Sequence, residues 1–139
     1  MTMDIKRKEL LLKDLSARLI YGVKCFVYGD IQNTHILSGI KDDDTAYFKE
    51  LDWKESDGFV EIEFVTPLLR PMSSMTDDEK KFVANLKGGL VVLRHKETND
   101  IVGVWNETEA TDWLNKNHFD YRNLIDNGLA AEAPAGMYK

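Results

Sequence analysis

The sequence predicts an α+β fold: a small antiparallel sheet or an SH3-like or Sm-like barrel, with one helix before it and helices after it. Three features carry that expectation. Leucines near the amino terminus recur at helical spacing, "FVEIEFV" alternates with period two, and helix-start signals return after it, flanking one further hairpin.

The first helix rests on Leu11, Leu12, Leu15 and Leu19, with Ile5 on the same face and Lys6, Arg7, Lys8 and Glu9 between. Thr2 or Asp4 is placed to cap it, and Tyr21-Gly22 ends it. "VKCFVY" then alternates, setting Val23, Cys25 and Val27 on one face and Lys24, Phe26 and Tyr28 on the other. A second run, "THILSGI", completes a hairpin with a longer loop. "KDDD" reads as a turn, "TAYFKELDW" as an edge strand and "SDG" as another turn. In "FVEIEFV", Val60, Ile62 and Phe64 are expected inward and Glu61 and Glu63 outward. Pro67 and Pro71 are expected to end that strand.

Thr76 and Glu79 form the T-x-x-E pattern of a capping box, with Asp77 and Asp78 suiting the positive end of the helix dipole. Gly88-Gly89 should stop that helix. "LVVLRHKETNDIVGVW" reads as a hairpin about a polar turn. Asn106 and Glu109 open a helix running to about Asn117, Asp120 suits the cap of a short final helix, and Gly128 suits its end. In the small-residue tail, Met137 and Tyr138 are the anchors.

At 139 residues the chain fits one domain, 1–139, and its 43% hydrophobic and 30% charged residues suit a packed core. The formal charge of −6 disfavours a general binder of phosphate backbones. The dense positive cluster "KRKELLLK" reads as a solvated helix face. Cys25 stands alone, which excludes an internal disulfide and a cysteine zinc site. Without an apolar run of about 20 residues or a leader pattern, the expected location is the cytoplasm, with no membrane contact.

Reactive motifs are weak throughout. "DWLNKNHFDYRNLIDNGL" crowds His118, Phe119, Asp120, Tyr121 and Arg122 together, but the residue types suit a tight corner: Asp120 as a cap, Phe119 as an anchor, His118 and Arg122 turned to solvent or a partner. A functional use would make His118 an acid–base group beside Asp120 or Arg122. Arg70, Ser73 and Ser74 lie on a proline-bounded loop of the kind that carries binding residues, without a nucleophile elbow. "DDD" lacks the spacing of a calcium loop, and "NLKGGL" lacks that of a phosphate loop. His35 and His95 are isolated, and Cys25 reads as a buried, inert thiol. No catalytic set, cofactor or metal is implied. The candidate interaction residues are His118, Tyr121, Arg122, Arg70 and Ser73.

Three stretches together, "KELLLKDLSARLIYGVKC", "PLLRPMSSMTDDEKK" and "TDWLNKNHFDYRNLIDNGLAAEAPAGMYK", resemble a family of small uncharacterised proteins of anaerobic gut bacteria and their phages and mobile elements. The likeness covers roughly half the chain. It departs at Ile20, where proline is expected before Tyr-Gly, and across "GGLVVLRHKETNDIVGVW". The resemblance implies a phage- or prophage-associated cytoplasmic protein and carries over no activity.

The expected function is a non-enzymatic protein-interaction module for a host or phage protein, with self-association left open. The alternative is an Sm-like or SH3-like nucleic-acid-associated module reading a single strand through Phe26, Tyr28 and Lys24. Exposed rings beside a positive patch favour the alternative. An enzyme would require a pocket holding His118 with a second titratable group.

Overall fold

The computed structural model describes residues 4–42, 44–53, 56–84, 91–94, 96–98, 101–105 and 109–138. The chain divides into two compact units, Met1–Leu68 with Leu129–Ala131, and Leu69–Gly128 with Glu132–Lys139. The class is α+β, as expected. The sheets are open, with 4, 3 and 2 strands, and the described residues close no barrel.

In the first unit, helix α1 (Ile5–Arg18) begins at Asp4, whose carboxylate accepts the Arg7 N–H at 2.9 Å. Leu11 and Leu15 are fully buried, and so are Asp14 and Arg18 on the same stripe. The Arg18 guanidinium grips Asp14 with two hydrogen bonds, 2.9 and 3.1 Å, so each buried charge has its counterion. Ile5, expected on this face, is 73% exposed. At 3.6 residues per turn it lies about 80° round the helix from Leu15 and about 120° from Leu11, off the buried stripe.

A 3-10 turn, Leu19–Tyr21, and Gly22 at φ 68° lead into β1 (Lys24–Val27). Val23, Cys25 and Val27 are buried, as the alternation requires. Burial, with the negative charge of Asp14 nearby, pushes the Cys25 thiol far above its ordinary range, which fits the expected inert thiol. β2 (His35–Ile36) closes the anticipated hairpin, pairing His35 with Cys25. The chain then leaves this sheet, because Leu37 N–H bonds to Val23 O at 3.0 Å and Ser38 N–H to Tyr47 O at 2.9 Å.

β3 (Gly39–Lys41), β4 (Thr45–Trp53) and β5 (Ser56–Glu61) form the second sheet. β4 is its central strand and not the expected edge; both its neighbours pair along it, and Ala46 and Phe48 face the core. The "FVEIEFV" alternation holds through Val60 and Ile62, 2% and 0% exposed, and then fails. A 3-10 turn at Ile62–Phe64 shifts the phase and leaves Phe64 45% exposed. Glu63 pairs with Lys8 of α1 at 3.6 Å. β6 (Val65–Leu69) follows, antiparallel to β1. Pro67 lies inside β6, opposite Cys25, and does not end it. Its buried ring fills an inward position at the cost of one ladder donor.

In the second unit, a 3-10 turn at Met72–Ser74 precedes α2 (Asp77–Ala84). Its capping box forms as read: Glu79 N–H donates to Thr76 Oγ1 at 3.1 Å, and Thr76 N–H donates to Glu79 Oε1 at 3.0 Å. β7 (Val91–Arg94) and β8 (Ile101–Trp105) make the expected hairpin. Gly88, Gly89, His95 and Asn106 lie outside the described residues. α3 (Glu109–Lys116) packs Ala110 and Leu114 with Met72, Met75, Val83 and Phe119. The anticipated final helix is absent among the described residues. Residues 121–128 form turns, and the chain ends through β9 (Ala131–Glu132) and a turn-rich tail.

Candidate functional site, the Arg70 corner and its cleft

The end of α3 explains the crowded motif. Phe119 N–H reaches back to Leu114 O at 2.9 Å, and His118 N–H to Asn115 O at 3.1 Å. This pair of bonds is the Schellman termination, which places the intervening residue in the left-handed region. His118 occupies that position at φ 59°, where glycine is usual. The hydrophobic contact that accompanies the motif is supplied by Phe119 and Leu114, both 0% exposed.

His118 is consequently not turned to solvent. It is 3% exposed, with its ring centroid 4.1 Å from that of Tyr138. Arg122 is half-buried, its Cζ 4.4 Å over the Tyr121 ring. The Tyr121 hydroxyl donates to Asn115 Oδ1 at 2.8 Å. Phe119 anchors the corner as anticipated. Asp120 performs a cap's chemistry without a helix, its two carboxylate oxygens accepting the N–H groups of Leu124 and Ile125 at 2.8 and 2.9 Å.

The corner's backbone then holds Arg70. Arg70 N–H donates to His118 O at 2.7 Å, Asp120 N–H donates to Arg70 O at 2.8 Å, and the pair forms an isolated parallel bridge with Phe119. The guanidinium carbon lies 4.0 Å over the Phe119 ring. Its two terminal nitrogens donate to Glu79 at 2.9 and 2.8 Å. Glu79 thereby closes the α2 cap and clamps Arg70 at once. These bonds hold its carboxyl below the ordinary range, with the Arg70 hydrogen bonds the largest cause. Trp113 stacks on Phe119 at 5.5 Å, and Phe82, 53% exposed, meets Trp113 at 5.7 Å.

A solvent-open cleft of about 290 Å³ lies beside this clamp, lined among others by Arg70, Pro71, Ser74, Glu132, Pro134 and Tyr138. Of the residues singled out in the sequence, Arg70, Ser74 and the tail anchor Tyr138 line it; Ser73 is exposed on the adjoining turn. His118, Tyr121 and Arg122 do not line it; His118 backs the wall residue Tyr138 through their ring contact. Glu132 is a wall residue that periodicity could not find, because its meeting with Arg70 and Ser74 depends on the tail folding back. That return is marked by Ala133 N–H bonding Leu69 O at 2.7 Å. "PAG" was the available signal, a turn motif ahead of an aromatic anchor.

Among the described residues, no group of three potential metal ligands occurs and no helix is long and apolar enough to cross a membrane. A scan against protein-family models and searches of curated proteins and solved structures found no match.

Proposed function

We propose that this chain is a non-enzymatic, cytoplasmic protein-interaction module of phage or mobile-element origin, taking a segment of a host or phage protein into the Arg70 cleft. The observation that carries this reading is the fixed guanidinium. Arg70 is pinned by its own backbone, by Glu79 and by Phe119, yet its side chain keeps 19% of its surface open. Two terminal nitrogens give one hydrogen each to Glu79, which leaves further N–H donors for a ligand. Recognition groups held on rigid supports lose little freedom when a partner arrives.

The clamp is charge-neutral, and Glu132 adds negative charge at the cleft wall. That arrangement suits main-chain amides and polar side chains better than phosphates. The nucleic-acid reading draws on the exposed Tyr28 ring, but Phe26 is half-buried and the chain carries a charge of −6. An acid–base site would need His118 in a cleft, and His118 is not among the residues lining this one.

The test is partner capture from host lysate by wild type and by Ala135→Trp, which fills the cleft from its exposed rim. The expected result is a stoichiometric, nuclease-resistant partner retained by wild type and lost by the folded variant. Equal capture by both, or loss on nuclease treatment, would overturn the reading.

A further inference from the structure

We infer that the first unit carries a second, separate docking site, for a Lys- or Arg-bearing peptide segment of a partner protein, built on the exposed ring pair Tyr28 and Phe64. Tyr28 is 64% exposed and Phe64 45%, with ring centroids 5.4 Å apart and planes tilted by 32°. Ile31, three residues beyond Tyr28 in the chain, is 74% exposed.

After β1 the chain turns through Tyr28 at φ 53° and Gly29 at φ 73°, closed by Asp30 N–H to Val27 O at 3.0 Å. Two successive positive φ values inside such a bond mark a type I′ turn, whose first central position favours Asn, Asp or Gly. Tyrosine sits there against that preference. Backbone strain kept at an exposed aromatic is a reason to look for function. Phe64 is exposed because the 3-10 turn breaks the alternation of its strand. Tyr28 N–H donates to Phe64 O at 2.9 Å, so the two departures are bolted together.

The surroundings select the occupant. Asp30 is exposed, and its carboxylate accepts Asn33 Nδ2 and Gln32 N–H, each at 3.1 Å. These bonds stiffen the loop and hold the Asp30 carboxyl below its ordinary range, with the Asn33 bond the largest cause. Glu61 is exposed, and Glu63 is shared with Lys8 at 3.6 Å. Acidic residues within three positions of each aromatic in sequence, beside exposed π faces, favour guanidinium and ammonium groups over polyanions. The overall charge of −6 adds to that attraction. This site stands on observations independent of the Arg70 cleft.

The experiment is an amide-resolved NMR titration of the full chain with three probes: a blocked Arg-Gly decapeptide, its Glu-Gly counterpart and a ten-residue oligothymidylate. The expected result is saturable movement of the Tyr28, Gly29, Ile31 and Phe64 resonances with the Arg-Gly peptide alone. Tyr28→Gly should weaken that binding at least tenfold while the melting temperature holds or rises, since glycine suits the turn. Phe64→Ser should weaken it similarly, and Ala135→Trp should leave it unchanged, which separates this site from the cleft. Unchanged binding in both ring variants, equal response to the Glu-Gly peptide, or preference for oligothymidylate would overturn the inference.

Discussion

Two bidentate arginine–carboxylate clamps, one in each unit, sit in different surroundings: Arg18 grips Asp14 through Nε and one terminal nitrogen, Arg70 grips Glu79 through both terminal nitrogens. Arg18 and Asp14 sit a helical turn apart with both side chains 0% exposed, whereas Arg70 and Glu79 lie nine positions apart in sequence and keep 19% and 23% of their side-chain surface. Full burial makes the first pair a permanent structural element, because neither charge can find water if its partner goes. Partial exposure leaves the second pair fixed but within reach of solvent. The same two groups thus make a core element in one place and a partly exposed clamp, the proposed recognition surface, in the other.

The sharpest way to break the comparison is to remove one member of the buried pair. Asp14→Ala should destabilise by roughly 3–5 kcal/mol by stranding the Arg18 guanidinium, whereas Asp14→Leu with Arg18→Met should come close to wild type. Denaturant titration of both variants checks this. A single variant as stable as the double would show that the charges are not coupled.

Next in size is Phe119→Ala, expected to cost about 3–5 kcal/mol for a ring with no exposed surface. Its loss should also release the Arg70 guanidinium, visible as faster exchange of the Arg70 Nε–H. Thr76→Ala should cost about 1 kcal/mol by removing one half of the α2 cap, measurable as a lowered denaturation midpoint with an unchanged slope.

The smallest effect is a pH response. Glu79 has a folded pKa below its ordinary value, chiefly through Arg70. A depressed carboxyl contributes stability that is complete above its unfolded pKa and is lost as pH falls through the folded one. Wild type should therefore lose more stability than Glu79→Gln between neutral pH and the acid side of the carboxylate range. Parallel pH melts of the two proteins read the difference directly, and superimposable profiles would remove the clamp from the account.

Local signals in the sequence carried far, and the losses have identifiable causes. The capping box at Thr76 and Glu79, the Asp4 cap, the buried face of β1 and the anchoring of Phe119 each depend on residues a few positions apart. Phe64 was misplaced because alternation says nothing about a 3-10 turn inserted where the strand ends. The buried Asp14–Arg18 pair has no sequence signature, because charged residues four apart on a helix read alike whether enclosed or solvated. His118 was expected at the surface, since a histidine at a corner gives no sign of the glycine-like backbone position it fills. The cleft depended on the tail reaching Leu69, a contact across more than sixty residues that no local pattern encodes.

Arg70→Lys tests the central distinction most directly. Lysine keeps the charge but loses both the two-pronged grip on Glu79 and the planar stacking on Phe119. Capture of the nuclease-resistant partner should fall at least tenfold while the melting temperature drops by only a few degrees, and the Asp14→Leu/Arg18→Met double variant should capture normally. If Arg70→Lys captures the partner as wild type does, the Arg70 corner is only a scaffold and the proposed recognition surface lies elsewhere.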